Sequence, residues 1–188
     1  MPDPISDDAR LAAVYDPLES DRSDLDAYAA MVEEFGARRV LDIGCGTGTF
    51  ATLLAGRGLE VVGVDPAASS LQVARGKPDA EKVRWVHGVA ANALPLRVDL
   101  AFMTANVAQV FLTDEEWDHT LRAARAALVP GGRLIFETRV PERRAWESWT
   151  RENTRQVVDV AHEGPVEDWV QVTGVDGELV SFESPTIF

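Results

Sequence analysis

The sequence contains little cysteine and little histidine. Cys45 is the single cysteine among 188 residues, which excludes an internal disulfide and a cysteine-rich zinc site. The histidines form no i, i+4 pair; they are His87, His119 and His162. We therefore expect no metal site, and we expect Cys45 to be a small packed side chain rather than a nucleophile.

Long apolar runs are also missing. No stretch reaches the roughly 18 residues needed to span a membrane. The start, Met1-Pro2-Asp3-Pro4, lacks the basic residues of a signal peptide. The hydrophobic content of 46% is enough for one sizeable core. These features predict a soluble, cytoplasmic protein without a membrane partner.

Basic residues are outnumbered by acidic ones. The chain has 18 Lys and Arg against 31 Asp and Glu, a formal net charge of −13, and the excess lies in the first 26 residues and after residue 140. Proteins bind nucleic acid largely through Lys and Arg that neutralise phosphates, and no basic stripe is present. We therefore expect no nucleic-acid partner.

Glycine is concentrated at one place. The apolar run Val40–Ile43 is followed by Gly44, Gly46 and Gly48 and then by a helical pattern. A loop without Cβ atoms can adopt positive φ and lie against a ligand, facing the unpaired N–H groups of the next helix. Dinucleotide-binding loops place a third glycine where this chain has Thr49. The loop therefore predicts a different adenosine ligand.

Two acidic residues accompany this loop. Asp42 precedes Gly44 by two residues, where a carboxylate suits the cationic parts of a ligand. Asp65 ends a second β-branched run, 17 residues after Gly48. That separation is near the ~20 residues expected of a carboxylate that binds ribose hydroxyls. Together these acids favour a nucleoside site over an ordinary turn.

The pattern Asp42-x-Gly44-x-Gly46-x-Gly48 resembles the first motif of the class I S-adenosylmethionine-dependent methyltransferases. Pro130-Gly131-Gly132, followed by residues 133–137, resembles the entry to the fifth strand of that family. The resemblance covers about residues 9–139. It implies an α/β fold, a doubly wound and mostly parallel Rossmann-like sheet, with S-adenosylmethionine as cofactor and a small-molecule methyl acceptor as partner. The cofactor-binding residues that it implies are Asp42, Gly44, Cys45, Gly46, Gly48, Asp65, Pro66, Val89, Ala90, Thr104 and, from an amino-terminal lid, Tyr15.

The third strand departs from the family pattern. The family usually has an acid after the glycine that ends this strand, but here the segment is Gly88-Val89-Ala90. Valine cannot accept a hydrogen bond from the adenine amino group. We expect adenine recognition to fall to backbone groups, to Asn92, or to apolar contact alone.

The binding site for the methyl acceptor is predicted at the end of the fourth strand, because ligands of open parallel sheets bind at the carboxyl ends of strands. Asn106 and Gln109 are candidates to orient the acceptor; the alternative is that Asn106 caps a turn and Gln109 lies on the surface. Asn106 and His87 are the candidate catalytic residues, with His87 as a base. A sulfonium donor is already activated, so a base is an option rather than a requirement.

The local patterns predict an element order that alternates strands and helices, typical of a parallel sheet. After two amino-terminal helices, 6–17 and one from Ser23 to about Phe35, the predicted strands are 38–43, 60–65, 83–88, 98–104 and 133–139, and the predicted helices are 48–57, 67–75 and 114–128. The segment 88–98 is a weak helix that a short turn can replace. The core with its lid is expected to span residues 1–140.

From Pro141 onward the pattern changes to a helix, Glu142–Thr150, and three strands, Gln156–Ala161, Val166–Thr173 and Glu178–Phe182. We expect residues 141–188 to form an antiparallel β flap that lies on the substrate side or contacts another copy. Candidate substrate-lining residues are Arg139, Arg143, Trp146 and Trp169; alternatively the tryptophans only anchor the flap.

Two other functions and one structural question stay open. The chain can be a non-catalytic cofactor-binding module, or a nicotinamide-dependent oxidoreductase, against which the missing third glycine argues. The fifth strand is apolar, and an unpaired strand edge is a template for another chain. We expect that edge to be covered by strands from residues 156–183 or by a second copy in a homodimer.

Overall fold

The structure, a computed structural model, describes residues 7–188. Residues 1–6, which include the start of the first predicted helix, lie outside the described residues. The chain divides into two compact units. The core unit comprises residues up to Ala13 and Asp21–Thr138, and the C-terminal unit comprises Val14–Ser20 and Arg139–Phe188.

The core unit contains a five-stranded sheet in the order β3-β2-β1-β4-β5. Its strands are β1 Arg39–Ile43, β2 Glu60–Asp65, β3 Val83–His87, β4 Val98–Met103 and β5 Leu128–Phe136. All four neighbouring pairs are parallel. The strand order reverses between β1 and β4, and this is the switch point at which open α/β sheets bind ligands. The doubly wound parallel fold expected from the sequence is confirmed.

Helices cover both faces of this sheet, as parallel strands buried on two sides require. Within residues 7–138 the α-helices are α1 Ala9–Leu18, α2 Asp24–Glu34, α3 Thr49–Gly56, α4 Ala68–Arg75 and α5 Asp114–Ala127. One apolar cluster joins α2 and α3 to the sheet around Phe102. The other joins α5 to the sheet around Met103.

The starts of α2 and α5 are capped differently. Ser23 precedes α2 but makes no side-chain cap. Thr113 does cap α5, since its hydroxyl accepts the Glu116 N–H at 3.2 Å. The Glu116 carboxylate bonds the Leu112 N–H rather than that of Thr113, so the reciprocal half of the capping box is shifted by one residue. Between β3 and β4 the weak helix is a 3₁₀ turn, Ala90–Ala93.

The C-terminal unit is built from short elements: 3₁₀ turns at Pro141–Arg143 and Ala145–Ser148, α6 Arg151–Thr154, and strands β6 Gln156–Val160, β7 Gly164–Asp168, β8 Gln171–Asp176, β9 Leu179–Glu183 and β10 Thr186–Ile187. The strands form two antiparallel sheets, β10-β7-β6 and β8-β9. Val14 and Leu18 of α1 pack against the first of them, beside Val158, Val160 and Val166.

Two predictions for this region are wrong in detail. The helix predicted at 142–150 is interrupted, because Arg144 has φ +45°, a left-handed conformation that ends regular helix. The single strand predicted at 166–173 is two strands in different sheets, separated at Trp169–Val170. Tryptophan spacing and β-branched runs do not show where the chain changes sheets.

The outer edge of β5 has no strand partner among residues 7–188. β5 pairs with β4 alone, and the strands after residue 156 pair only with one another. The expectation that strands from residues 156–183 pair with β5 is therefore wrong. Short strands joined by tight turns satisfy their hydrogen bonds locally, within their own hairpins.

Within residues 7–188, no helix combines the length and the apolar character needed to cross a bilayer.

Candidate active site

The glycine loop, residues 44–48, follows β1, and its three glycines have left-handed backbone conformations. Gly44, Gly46 and Gly48 have φ of +70°, +52° and +78°, which L-residues with a Cβ rarely adopt. A Cβ on Gly44 would lie 2.6 Å from Val107 Cγ2, and one on Gly48 would lie 2.5 Å from Trp85 Cη2. A Cβ on Gly46 would meet no atom within 4 Å. Two of the glycines therefore permit packing, and the middle one leaves an open side for a ligand.

Asp65, at the end of β2, fixes this loop. Its Oδ2 accepts the Gly46 N–H at 2.8 Å, and its Oδ1 accepts the Ala67 N–H at 2.8 Å. The side chain is buried, and burial raises its pKa while these two hydrogen bonds lower it. Each oxygen retains a second acceptor position for a ribose hydroxyl.

Asp42 lies beneath the same loop and is 1% exposed. Its Oδ1 has no hydrogen-bond partner in the described part of the chain. Burial, followed by the charge of Asp65, raises its pKa to about 7. A buried carboxylate with an unmatched oxygen is stabilised by a cationic ligand.

Cys45 is buried next to the same strands. A Cβ on Gly63 would lie 3.0 Å from its Sγ, so the thiol fills space beside β2. Burial, with the nearby carboxylates, raises the pKa of the thiol. A neutral buried thiol is inert, which suits packing rather than nucleophilic chemistry.

The segment after β3, Gly88-Val89-Ala90, presents no acidic side chain to an adenine. Val89 is 48% exposed. Its N–H donates to Asn92 Oδ1 at 2.8 Å, so two groups considered for adenine recognition bond to each other. Buried Ala90 follows. This geometry leaves apolar contact from Val89 as the clearest interaction that the segment offers to a base.

His87 is exposed at the end of β3, where its Nε2 lies 2.9 Å from the Pro66 carbonyl oxygen. β3 is at the sheet edge, and β2 and β1 separate it from β4. Three strand spacings amount to about 14 Å. The structure therefore does not bring together His87 and Asn106, the two candidate catalytic residues, because they end strands on opposite sides of β1.

The acceptor loop, residues 104–109, follows β4. Thr104 is buried, while Ala105 and Asn106 have φ of +54° and +63°. A 3₁₀ turn, Val107–Gln109, follows, and the Gln109 N–H donates to the Asn106 carbonyl at 2.9 Å. Asn106 occupies the cap position of that turn, but its side chain makes no cap hydrogen bond. Gln109 is exposed.

Sequence reasoning missed the polar residues that support these loops. Glu137 Oε1 accepts the Asn106 N–H at 2.9 Å, and Glu137 Oε2 accepts the Tyr28 hydroxyl. Lys77 donates to Thr49 Oγ1 at 2.7 Å and to Thr47 Oγ1 at 3.3 Å, on the glycine loop and α3. Glu137 directly follows β5, so the strand-end rule applied to the other strands could have identified it. Lys77 carries no such sequence signal.

The amino-terminal segment reaches the helix that follows Asp65. Asp7 Oδ1 accepts the Ala68 N–H at 3.0 Å, and the Ser69 hydroxyl donates to the Asp7 carbonyl at 2.6 Å. α4 has no cap from its own Ala67, so Asp7 supplies one from 61 positions away.

Five predicted site residues belong to the C-terminal unit: Tyr15, Arg139, Arg143, Trp146 and Trp169. Tyr15 is half-buried on α1, Trp146 is half-buried in a 3₁₀ turn, and the Arg139 guanidinium lies 4.9 Å from the Trp149 ring centre. Their approach to the glycine loop stays a prediction.

No group of three or more His, Cys, Asp or Glu side chains in residues 7–188 has the arrangement of a metal site. An open cavity of about 540 Å³ includes Arg38, Asp99 and Arg133. It lies at the amino ends of the strands, opposite the end at which parallel sheets bind ligands.

A doubly wound sheet whose glycine loop lies between two buried carboxylates defines a Rossmann-like protein that binds an adenosine cofactor. Residues 40–132, about half of the chain, match a family model described as a methyltransferase domain. The chain belongs to the class I S-adenosylmethionine-dependent methyltransferases, which confirms the resemblance and the cofactor expected from the sequence.

Curated relatives match the core unit. The ubiquinone biosynthesis O-methyltransferase of Alkalilimnicola ehrlichii is 30% identical over 130 residues, 61% of this chain and 47% of that protein. An uncharacterized methyltransferase of Mycobacterium tuberculosis is 38% identical over 119 residues, 58% of this chain and 44% of that protein. The chain thus matches less than half the length of these relatives.

Solved structures resemble more of the chain. The CcbJ methyltransferase of Streptomyces caelestis is 27% identical with a TM-score of 0.65, over 86% of this chain and 67% of that one. DesVI of Streptomyces venezuelae, at 20% identity and a TM-score of 0.66 over 94% of this chain and 81% of that one, shows the fold alone.

Proposed function

We propose that this chain catalyses transfer of a methyl group from S-adenosylmethionine to a small-molecule acceptor by in-line displacement. The observation that supports this most strongly is the pairing of Asp42 and Asp65 around the open side of Gly46. The unmatched Asp42 oxygen and the absence of protein atoms within 4 Å of a Cβ on Gly46 fit a cationic nucleoside ligand.

The residues present fit the cofactor in three places. Asp65 offers two acceptors to the ribose diol, and Gly46 allows close backbone approach. Asp42 offers a carboxylate to the ammonium or sulfonium, whose positive charge favours its ionised form. Val89 offers an apolar surface to the adenine.

When bound, S-adenosylmethionine supplies a methyl group on a positively charged sulfur, whose leaving group is a neutral thioether. The chain's own residues then have to orient the acceptor and exclude water. The acceptor loop lies beside the glycine loop, since Val107 fills the space next to Gly44. Asn106 and Gln109 remain the proposed acceptor-binding residues, together with Arg139 and Trp146.

A non-catalytic cofactor-binding module is the second candidate function. Val89 stands where the family has its adenine-binding acid, and its exposure favours weaker and less specific base recognition. A cytoplasmic location, the absence of a nucleic-acid partner and a homodimer stay parts of the proposal.

The test begins with calorimetry. S-adenosylhomocysteine is expected to bind the full chain, and NADH is expected not to; the reverse would favour an oxidoreductase. Purified chain is then incubated with methyl-labelled cofactor and a metabolite library. Label transfer supports the enzyme, whereas binding without transfer to any compound favours the non-catalytic module.

Gly36→Val is the matched control for Gly46→Val in both assays. Gly36 has φ +60° and, like Gly46, no atom within 4 Å of a Cβ. The two substitutions therefore impose similar backbone strain, and only Gly46→Val is expected to abolish cofactor binding.

A further inference from the structure

Glu137 links three segments at the carboxyl end of the core sheet. It follows β5 directly, and its two oxygens accept different donors. Oε1 accepts the backbone N–H of Asn106 at 2.9 Å, and Oε2 accepts the Tyr28 hydroxyl. The carboxylate is half-buried. A carboxylate bonded in this way fixes the groups on both of its sides.

The backbone that Glu137 bonds is strained. Ala105 and Asn106 are consecutive residues with a Cβ, and both are left-handed, at φ +54° and +63°. Such conformations persist only where neighbouring groups hold them. The Asn106 side chain does not cap the turn, and the Val107 N–H to Thr104 carbonyl bond is long, at 3.3 Å. The bond to Glu137 is therefore the main restraint that the structure shows on the Asn106 N–H.

The strained turn sets the position of Val107, and Val107 contacts the glycine loop. A Cβ on Gly44 would lie 2.6 Å from Val107 Cγ2 and 2.8 Å from Cγ1, so the valine fills the space beside Gly44. A shift of the turn would move Val107 against or away from the glycine loop. Glu137 is thus connected to the glycine loop through Asn106 and Val107.

Tyr28 fixes the other end of this chain of contacts. It is 7% exposed, and its ring makes edge contacts with Phe50 and Phe102, at 6.0 Å between centroids in each case. Burial, followed by its bond to Glu137, raises the pKa of the tyrosine, so its hydroxyl remains a donor at neutral pH. That donor bonds Oε2, while Oε1 accepts the Asn106 N–H.

We infer that Glu137 is a positioning residue for methyl transfer: it holds the left-handed turn at Ala105–Asn106 and thereby places Val107 against the glycine loop and Asn106 toward the acceptor. The inference rests on the proposed function, because it assigns Glu137 a role in that same site. In this role Glu137 acts through its bond to the turn.

The test combines affinity for S-adenosylhomocysteine with amide hydrogen exchange at Asn106, measured by NMR on the full chain. Glu137→Ala should speed Asn106 exchange and weaken affinity, each by roughly tenfold, because the strained turn loses its restraint. Tyr28→Phe is the matched control. It removes the other donor to Glu137 but should leave Asn106 protected from exchange.

The Ala105→Gly substitution distinguishes loss of this restraint from a general loss of stability, because only the former should be compensated by glycine at this position. Glycine adopts positive φ without steric cost, so Ala105→Gly/Glu137→Ala should recover affinity to within about threefold of wild type. Its Asn106 amide should still exchange quickly, because the acceptor is absent. If Glu137→Ala does not fold, exchange is compared between Ala105→Gly and the double variant.

The outcomes separate two failures. Wild-type chain that does not bind S-adenosylhomocysteine contradicts the proposed function. Wild-type binding with unchanged Asn106 exchange in the Glu137→Ala variant, or in the double variant relative to Ala105→Gly, overturns this inference alone. Equal acceleration of Asn106 exchange by Tyr28→Phe and Glu137→Ala would also overturn it, since Tyr28→Phe keeps the acceptor of the Asn106 N–H and the exchange would then report only general loosening around Glu137.

Discussion

Asp65 accepts the backbone N–H of Gly46 at 2.8 Å, across 19 positions of sequence. This bond ties the end of β2 to the middle of the glycine loop, at the one loop position where a Cβ would meet open space. The same carboxylate is the group expected to bind the ribose hydroxyls. The residue therefore shapes the loop and offers acceptors to the ligand at once.

Asp65→Ala is expected to weaken binding of S-adenosylhomocysteine by ~1.5–3 kcal/mol, because two charge-assisted hydrogen bonds to ribose are lost. Loosening of the loop at Gly46 adds to this loss. Calorimetry measures the change. Asp99→Ala is the control, since Asp99 also accepts two backbone N–H groups, from Arg38 and Arg39, but at the opposite end of the sheet. Unchanged affinity in Asp65→Ala would remove Asp65 from the site.

The loop glycines are expected to fail in two different ways. Gly44→Ala should lower thermal stability, because its Cβ would collide with Val107 as well as adopt φ +70°. Gly46→Val shares the backbone strain, at φ +52°, but its Cβ would meet no atom within 4 Å. Its distinguishing effect should be loss of ligand binding, because the side chain fills the open side. Melting temperature and calorimetric affinity, measured on both variants, separate the effects. Normal binding by a folded Gly46→Val variant would mean that the loop is only a turn.

Local patterns were sufficient to predict several elements of the core unit. The strand predicted at 60–65 is β2, Glu60–Asp65, and the helix predicted at 114–128 is α5, Asp114–Ala127. Apolar runs, glycines and capping residues act within a few positions of one another, so they are readable from one sequence. The parallel order of the sheet followed from the alternation of strands and helices.

The parts that could not be predicted depend on distant contacts. Tyr28 and Glu137 are 109 positions apart, and no spacing rule connects them. Likewise, Asp7 caps α4 through a contact across 61 positions. In the C-terminal unit the chain passes from one sheet into the other at Trp169–Val170, where tertiary packing overrides local β propensity.

Asp42 gives the apo protein a specific pH dependence. Its pKa rises from 3.8 to about 7, first through burial and then through Asp65. Between those values the folded state holds a proton that the unfolded state has lost, so stability from this group falls as pH rises from about 4 to about 7. Thermal denaturation of Asp42→Asn should therefore show a weaker decline over this window than wild type.

Ligand binding should offset the loss of stability that accompanies ionisation of Asp42. A cationic cofactor stabilises the ionised Asp42, so S-adenosylhomocysteine, which keeps the ammonium, should release protons when it binds near pH 6. Calorimetry in buffers of different ionisation enthalpy counts those protons. Asp118→Asn, which changes an exposed carboxylate on α5, should retain the release, whereas Asp42→Asn should reduce it. Equal release by both variants would contradict the assignment of Asp42.

The outer edge of β5 is unpaired in the described part of the chain. No strand within residues 7–188 pairs with it, although its central residues Leu134 and Ile135 are apolar. Unpaired N–H and C=O groups along such an edge are a template for another strand. We expect a second copy of the chain to cover this edge, so light scattering should give the mass of a dimer. Amides of residues 134–138 should exchange slowly at high protein concentration and faster on dilution, while the central strand β1 stays protected throughout. A monomer at every concentration, with fast exchange at 134–138, would show that the edge is bare.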